Sequence, residues 1–457
     1  MAPTQRGGMK HTMAETSPNL LFVFSDQHRR CDLGCYGNPQ VRTPNLDRLA
    51  SQARRFEHCV SNAPVCVPMR GTMLTGRHAW RHRAITNDLP VDTRVPSIAD
   101  ALNVAGYHTG YIGKWHLGGI PRDQAILPGA RLGFTEWKVA ECNHTYDQGY
   151  YFDEQCRRHA IPGFQSVGET DLAVDFIRRA AGKPQPWALF LSWSPPHNPY
   201  DAIPQEYLAQ YDAGALALRP NVPDGFPQAA DLLRCYYALI TLLDEQFGRL
   251  TTALEETGQR ERTVVVYTSD HGDMLGSQGF LNKQLPFEES IGVPLIVSWP
   301  GHLPPGVEER PLGLVDLPVT LAAAMGCPMT DVDGRDARQA NDDDAQLIYD
   351  LVPCHQAAER NGHEWMGLRT SRWTYARQSN GKCDVLFDNA QDPFQLHNLA
   401  TAPEATDIRA SLESRLALML DACGYSFRPW QQMVREDGYL REWNRSQAYF
   451  GLPTLEP

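Results

Sequence analysis

Four short apolar runs recur along the chain: Asn19-Leu-Leu-Phe-Val-Phe24, the stretch around Tyr111-Ile112, Trp187-Ala-Leu-Phe-Leu-Ser-Trp193, and Thr263-Val-Val-Val-Tyr267. Runs of this length predict strands buried on both faces. Each gives way at once to polar residues. The first ends in Asp26 and Gln27, the second in Lys114 and His116, the third in Pro195-Pro196-His197, and the fourth in Asp270 and His271. Helical patterns lie between them. Thr43 and Pro44 read as N-cap and first residue of a helix with the stripe Leu46, Leu49, Ala50, Ala53 and Phe56. Val95 to Ala105, closed by Gly106, Asp231 to Glu256, and Val315 to Met325, closed by Gly326, are amphipathic helices. Strands alternating with helices predict an α/β fold with a large, mostly parallel central sheet flanked by helices. In such a sheet the carboxyl ends of the strands share one edge, where ligands bind. The polar residues named above should therefore converge.

Some stretches are less regular. Lys114 and His116 are two apart, so an extended chain turns both to one side. From Lys138 to Gly168 periodicity is lost, and His144, Tyr146, Tyr150, Tyr151 and Phe152 cluster there. A pocket wall and plain packing both account for that cluster. The Asp- and Arg-rich stretch from Gly334 to Gln346 reads as a loop. Beyond Glu364, W-M-G-L-R-T and R-W-T-Y-A-R read as two short strands.

Composition narrows the choice. The 457 residues suffice for one large core and a smaller unit. At 42% hydrophobic and 21% charged, the profile is that of an ordinary soluble protein. A net charge of −12 argues against a nucleic-acid partner and requires any anion site to gather its cations locally. No apolar run is long enough to span a membrane. The first 18 residues are polar, lack the apolar centre of a signal peptide and read as a disordered tail. Eleven scattered cysteines, an odd number, fit reduced thiols and a cytoplasmic location. Cys31 and Cys35 have no second pair to complete a zinc site.

The most distinctive stretch is Ala63 to His78, A-P-V-C-V-P-M-R-G-T-M-L-T-G-R-H. A helix starting here would set Cys66 near a positive dipole end. Taken alone, Cys66 is equally compatible with a buried structural thiol. The stretch resembles the C-x-P-x-R and L-T-G-R signature of type I sulfatases, in the alkaline-phosphatase-like superfamily. Met69 stands where most members have Ser, Ala or Thr. Further elements follow in the family's order: G-K-W-H-L-G from Gly113, P-P-H-N-P around His197, S-D-H-G from Ser269, and Lys283 followed by P-F-E-E-S-I-G-V-P. V-L-F-D and D-P-F-Q-L-H-N-L resemble the family's small C-terminal α+β subdomain. The resemblance covers most of residues 19 to 400. It divides the chain into a tail (1–18), a catalytic sulfatase domain (19–355) and a C-terminal subdomain with its tail (356–457).

The resemblance implies hydrolysis of sulfate monoesters, arylsulfatase-type, on small anionic ester substrates. Cys66 would be oxidised by a formylglycine-generating enzyme to formylglycine (3-oxoalanine). One hydroxyl of the hydrated aldehyde would attack sulfur to give a covalent intermediate, and the other would lose its proton and expel sulfate. Asp26, Gln27, Asp270 and His271, with an oxygen of modified Cys66, would hold one divalent cation. Most sulfatases have a second aspartate and an asparagine at the positions of Gln27 and His271. The set found here is similar to that of phosphonate monoester hydrolases and some choline-type sulfatases. An all-oxygen site suits Ca²⁺, and an imidazole shifts the balance toward Mn²⁺. Arg70 and Lys114 would orient the nucleophile. Lys283 and His197 would neutralise the transferred group, and His197 would protonate the leaving alcohol. His116 would take the proton that collapses the intermediate. Asn87 is a candidate anion contact, although a turn residue explains it as well. Phosphonate monoester or phosphate diester hydrolysis is the alternative activity, and anion binding without catalysis is the outcome should Cys66 stay unmodified. The aromatic tail after Cys423, with Trp430, Tyr439, Trp443 and Tyr449, would pack on the body or on a second subunit of a homo-oligomer.

Overall fold

A computed structural model describes residues 17–339, 345–354 and 362–456. Most of the expected N-terminal tail lies outside the described residues, as does part of the loop expected between Gly334 and Gln346. In chain order the strands begin with β1 (Asn19–Asp26), β2 (Arg54–Phe56), β3 (Cys59–Val60), β4 (His108–Lys114), β5 (Glu136–Ala140) and β6 (Tyr150–Phe152). Next come β7 (Arg158–Ala160), β8 (Trp187–Pro196), β9 (Thr263–Ser269), β10 (Leu295–Ser298), β11 (Gly306–Glu308) and β12 (Leu312–Gly313). The last four are β13 (Gln346–Asp350), β14 (Trp365–Arg369), β15 (Trp373–Gln378) and β16 (Cys383–Asp388). A ten-stranded sheet has the order β11-β2-β10-β9-β1-β8-β4-β5-β6-β7. Its centre, β9-β1-β8-β4-β5, is entirely parallel. The expected α/β architecture is therefore present.

The apolar runs alternate across this sheet. Leu20, Phe22 and Phe24 of β1 join Phe190, Val264 and Val266 in a core on one face. Leu21 and Val23 join Leu189, Leu191 and Val265 on the other, against the helix Ala229–Glu256. Both faces are covered, so the strands carry no polar face, and polar side chains are confined to their ends.

β13 to β16 form a separate antiparallel sheet, packed with the helix Thr406–Ala422. Its first strand precedes residue 355, so this sheet draws on chain from both sides of that position. Tyr439 and Trp443 of the tail are buried in the same core, so the tail packs on the body.

Local departures from the pattern have simple causes. Helix α1 (Pro44–Ser51) stops before Phe56, which lies in β2 because the chain there pairs with β10. The helix expected from Val95 begins only at Ile98, where Ser97 and Asp100 form a reciprocal cap. The aperiodic stretch after Lys138 holds β6 and β7, strands of three residues at one side of the sheet, too short to show alternation.

Candidate active site

Register explains why the strand ends meet. Ser25 of β1 lies beside Ser269 of β9 and beside Trp193 of β8, and Gly113 of β4 lies beside Ser192. One residue further on, Asp26, Asp270 and Lys114 stand together at the strand ends. Helix α2 (Cys66–Thr75) enters over this edge with Cys66 as its first residue. The first-turn amides of a helix have no internal partners, so this end favours negative charge. Asn87 Oδ1 accepts one of them, from Val67 N at 3.1 Å, so its side chain fixes the start of α2.

Arg70, four residues on, turns beneath the strand ends. It is fully buried. Its Nε donates to Asp270 Oδ2 at 3.0 Å and its Nη2 to Asp26 Oδ2 at 3.1 Å. Its Nη1 donates to Lys114 O at 2.9 Å and Ser192 Oγ at 2.7 Å. Lys114 Nζ also donates to Asp26 Oδ2, at 2.5 Å. The two carboxylates are thereby divided. Each gives Oδ2 to buried cations and turns Oδ1 toward His271, whose Nε2 lies 3.5 Å from Asp26 Oδ1 and 3.7 Å from Asp270 Oδ1. His271 Nδ1 faces Gly272 O at 2.9 Å. A proton on Nδ1 leaves the Nε2 lone pair free, 3.2 Å from Cys66 Sγ.

This donor set fits a divalent cation. One ligand atom each from Asp26, Cys66, Asp270 and His271 lies within 4.8 Å of the others, all four residues being buried. Two carboxylate oxygens, an imidazole with its other nitrogen anchored, and an atom at position 66 make a reasonable metal site. Gln27, at φ 72, turns its side chain along the neighbouring wall. Its Oε1 accepts from Lys283 Nζ at 2.5 Å, and Lys283 Nζ lies 2.7 Å from His197 Nε2.

Electrostatics favour an anion at the centre. The Cys66 sulfur stands where the formylglycine oxygens would be. Burial pushes its thiol up, but Lys114 and Lys283 outweigh that and hold it well below the usual range. Burial and the Cys66 sulfur likewise work against ionised Asp26, yet Lys114 and Arg70 keep it charged. Burial and the Asp26 charge push Asp270 up.

His116 reaches the site by a different route from the one expected. It does not share a strand face with Lys114, because β4 ends at Lys114 and His116 has φ 55. The turn sets its Nε2 3.6 Å from Asp88 Oδ1, which Arg122 clamps at 2.7 Å. His197 follows directly on β8.

Three residues of the site carry no family signature. His144 stacks on His197 with ring centroids 4.1 Å apart, and its Nε2 lies 3.5 Å from Lys114 Nζ. That settles the aromatic cluster: His144 belongs to the site wall, and Tyr146 supports it by donating to His197 O at 2.5 Å. Asp88 sits beside Asn87 in the same turn. Asp273 follows Asp270 by three residues, and its spacing within D-H-G-D was the one available clue.

A sulfatase family model matches residues 18–327. The chain belongs to the sulfatase family. A second model, for the C-terminal part of N-sulphoglucosamine sulphohydrolase, matches residues 276–421. The chain is 32% identical to an ulvan-active sulfatase of Formosa agariphila over 94% of its own length and 85% of the relative's. It resembles the crystal structure of yidJ from Bacteroides fragilis at 29% identity and TM-score 0.84, covering 92% of this chain and 99% of that one. It also resembles a phosphonate monoester hydrolase from Silicibacter pomeroyi at 25% identity and TM-score 0.72, covering 89% and 95%. As a sulfatase, the chain is a sulfuric ester hydrolase acting on anionic sulfate esters.

Proposed function

We propose that this sulfatase cleaves sulfate monoesters at residue 66 after oxidation of Cys66 to formylglycine by a formylglycine-generating enzyme. The observation that carries the reading is the meeting of Cys66 with Asp26, Asp270 and His271 on one side and with Lys114 and Lys283 on the other. Position 66, when oxidised and hydrated, supplies one hydroxyl for attack on sulfur and a second whose deprotonation expels sulfate. A divalent cation held by Asp26, Asp270 and His271, with Gln27 alongside, supplies Lewis acidity toward that nucleophile and a non-bridging oxygen. The imidazole in the set favours Mn²⁺ over Ca²⁺.

The chain's own groups do the rest. Arg70 and Lys114 hold Asp26 ionised and place positive charge beside residue 66. Lys283, beside His197, faces the charge that develops on the ester. His116, backed by Asp88, is the group placed to receive a proton from residue 66. Cys66, Lys114 and Lys283 are 1% exposed or less, so the ester group must reach a buried centre.

Phosphonate monoester hydrolysis is the second reading, favoured by Gln27, by His271 and by the likeness to the Silicibacter enzyme. The test is twofold. The tryptic peptide carrying residue 66 should be about 18 Da lighter than its cysteine form. kcat/KM should be higher for 4-nitrophenyl sulfate than for 4-nitrophenyl phenylphosphonate. An unmodified cysteine in active enzyme refutes the nucleophile, and the reverse preference moves the assignment to phosphonates. The scattered free cysteines support a cytoplasmic setting, which we propose on that ground alone.

A further inference from the structure

Behind Lys283 and His197 lies a buried carboxylate with no role so far. Asp273 is 0% exposed. Its Oδ1 accepts from Leu275 N at 2.9 Å, which fixes the carboxylate plane. Its Oδ2 accepts from Gln27 Nε2 at 2.5 Å and from the Tyr200 hydroxyl. Gln27 Nε2 also lies 3.1 Å from Tyr200 Oη. On its other side Gln27 Oε1 meets the Lys283 ammonium at 2.5 Å.

A glutamine amide has one donor end and one acceptor end, and its neighbours decide which faces where. A carboxylate accepts and an ammonium donates, so this amide has one satisfactory orientation. With Nε2 on Asp273, Oε1 must point into the site. Reversed, it would set a carbonyl oxygen against a carboxylate and an NH₂ against an ammonium, and both contacts would be repulsive in a buried place.

We propose that Asp273 is a positioning residue of the sulfatase reaction: it fixes the polarity of the Gln27 amide, and through it places the Lys283 ammonium against His197. Asp273 makes no hydrogen bond to residue 66, Asp26, Asp270 or His271 and reaches the site through Gln27. It acts by determining which atom of Gln27 faces the anion site. Tyr200 assists by donating to the same oxygen. This rests on the reading of Lys283 as the cation beside the transferred group.

The decisive experiment is a reciprocal swap. Asp273→Asn removes the demand for a donor and lets the amide turn over, so kcat/KM for 4-nitrophenyl sulfate should fall at least about tenfold. Gln27→Glu alone sets two carboxylates against each other and should fall as far or further. The double variant, Gln27→Glu with Asp273→Asn, keeps the charge and restores the bond with donor and acceptor exchanged. The new amide at position 273 would donate to one oxygen of the new carboxylate at position 27 and leave the other oxygen facing Lys283. It should recover to within about threefold of the parent, a coupling that independent sites do not show. Inorganic sulfate binding, followed by calorimetry, should weaken in both single variants and return in the double. Tyr200→Phe should give a smaller loss of the same kind, and it decides the matter if Asp273→Asn does not fold. Thermal melting and metal content identify variants that fail for other reasons. A single Asp273→Asn variant with parental activity, or a double no better than the worse single, overturns the proposal. Failure of the parent to hydrolyse the sulfate at all would instead refute the sulfatase reading, and the swap would then be scored on the phosphonate.

Discussion

Lys283 Nζ and His197 Nε2 face each other at 2.7 Å. His197 Nδ1 lies 2.6 Å from Asn198 O, so it carries the ring proton and Nε2 is an acceptor. Burial, then Lys283 and His144, hold the imidazole down at about 3. His197 is therefore neutral near pH 7, which makes Lys283 the proposed carrier of the proton for a departing alcohol. The two form one donor unit. Lys283→Ala and His197→Ala should each cost about 10²–10⁴-fold, most for alcohols that leave poorly. A series of aryl sulfates of graded leaving-group pKa measures this. An unchanged slope in Lys283→Ala would place the donor elsewhere.

His116 should fail in another way. It stands beside residue 66 and Asp88. Burial lowers its affinity for a proton, but Cys142 and Asp88 together raise it well above the usual histidine range. Near pH 7 the imidazole therefore holds a proton, which must leave before it can accept the one from residue 66. His116→Ala should release about one equivalent of 4-nitrophenol and then stall, with the protein heavier by the transferred group. Steady turnover without a burst would show that His116 acts in the first step.

Asp270→Ala should lose both metal and stability. The cation site forfeits a carboxylate oxygen, and Arg70 keeps its buried charge with one partner fewer. Stripping one partner from a buried ion pair costs about 3–5 kcal/mol. Elemental analysis and a denaturant melt read the two effects separately. A full metal equivalent in the variant would remove Asp270 from the ligand set.

The small sheet is fastened to the large domain by a pH-sensitive joint. Arg369 of β14 donates to Glu288 Oε1 at 2.6 Å and Oε2 at 3.1 Å, and Arg30 adds a contact at 3.3 Å. Burial pushes Glu288 up, but the two arginines win and hold it at about 2, against an ordinary 4.5. A depressed carboxylate stabilises the fold fully above its unfolded value and progressively less as pH falls through the folded one. The joint should thus contribute on the order of 3 kcal/mol above pH ~4.5 and vanish near pH ~2. Glu288→Gln should lower the melting temperature at pH 7 and flatten its acid dependence. An equal loss at pH 7 and pH 2 would show that the charge is not the cause.

Much of this site was legible in the sequence because the central strands carry their chemistry at their ends. Asp26, Lys114, His197 and Asp270 each follow a buried run, and parallel register does the gathering. The parts that were not legible depend on backbone turns or on short elements. His116 arrives through a left-handed residue that no side-chain pattern announces. His144 comes from a stretch whose strands are three residues long. Asp273 matters only because Gln27 folds back at φ 72 to meet it, a conformation set by the tertiary structure rather than by local preference.

Arg70 makes contact with four neighbouring strands: Asp26 at the end of β1, Lys114 at the end of β4, Ser192 within β8, and Asp270 just past β9. A guanidinium is a rigid planar fork, so it behaves as a gauge of fixed size. A slip of register or a change of twist in any one of these strands would leave a buried charge short of a partner. Such a chain would be penalised in folding before it could bind an ester. The signature arginine thus inspects the assembly of the sheet, and a misbuilt copy is eliminated as unstable instead of surviving as a poor enzyme.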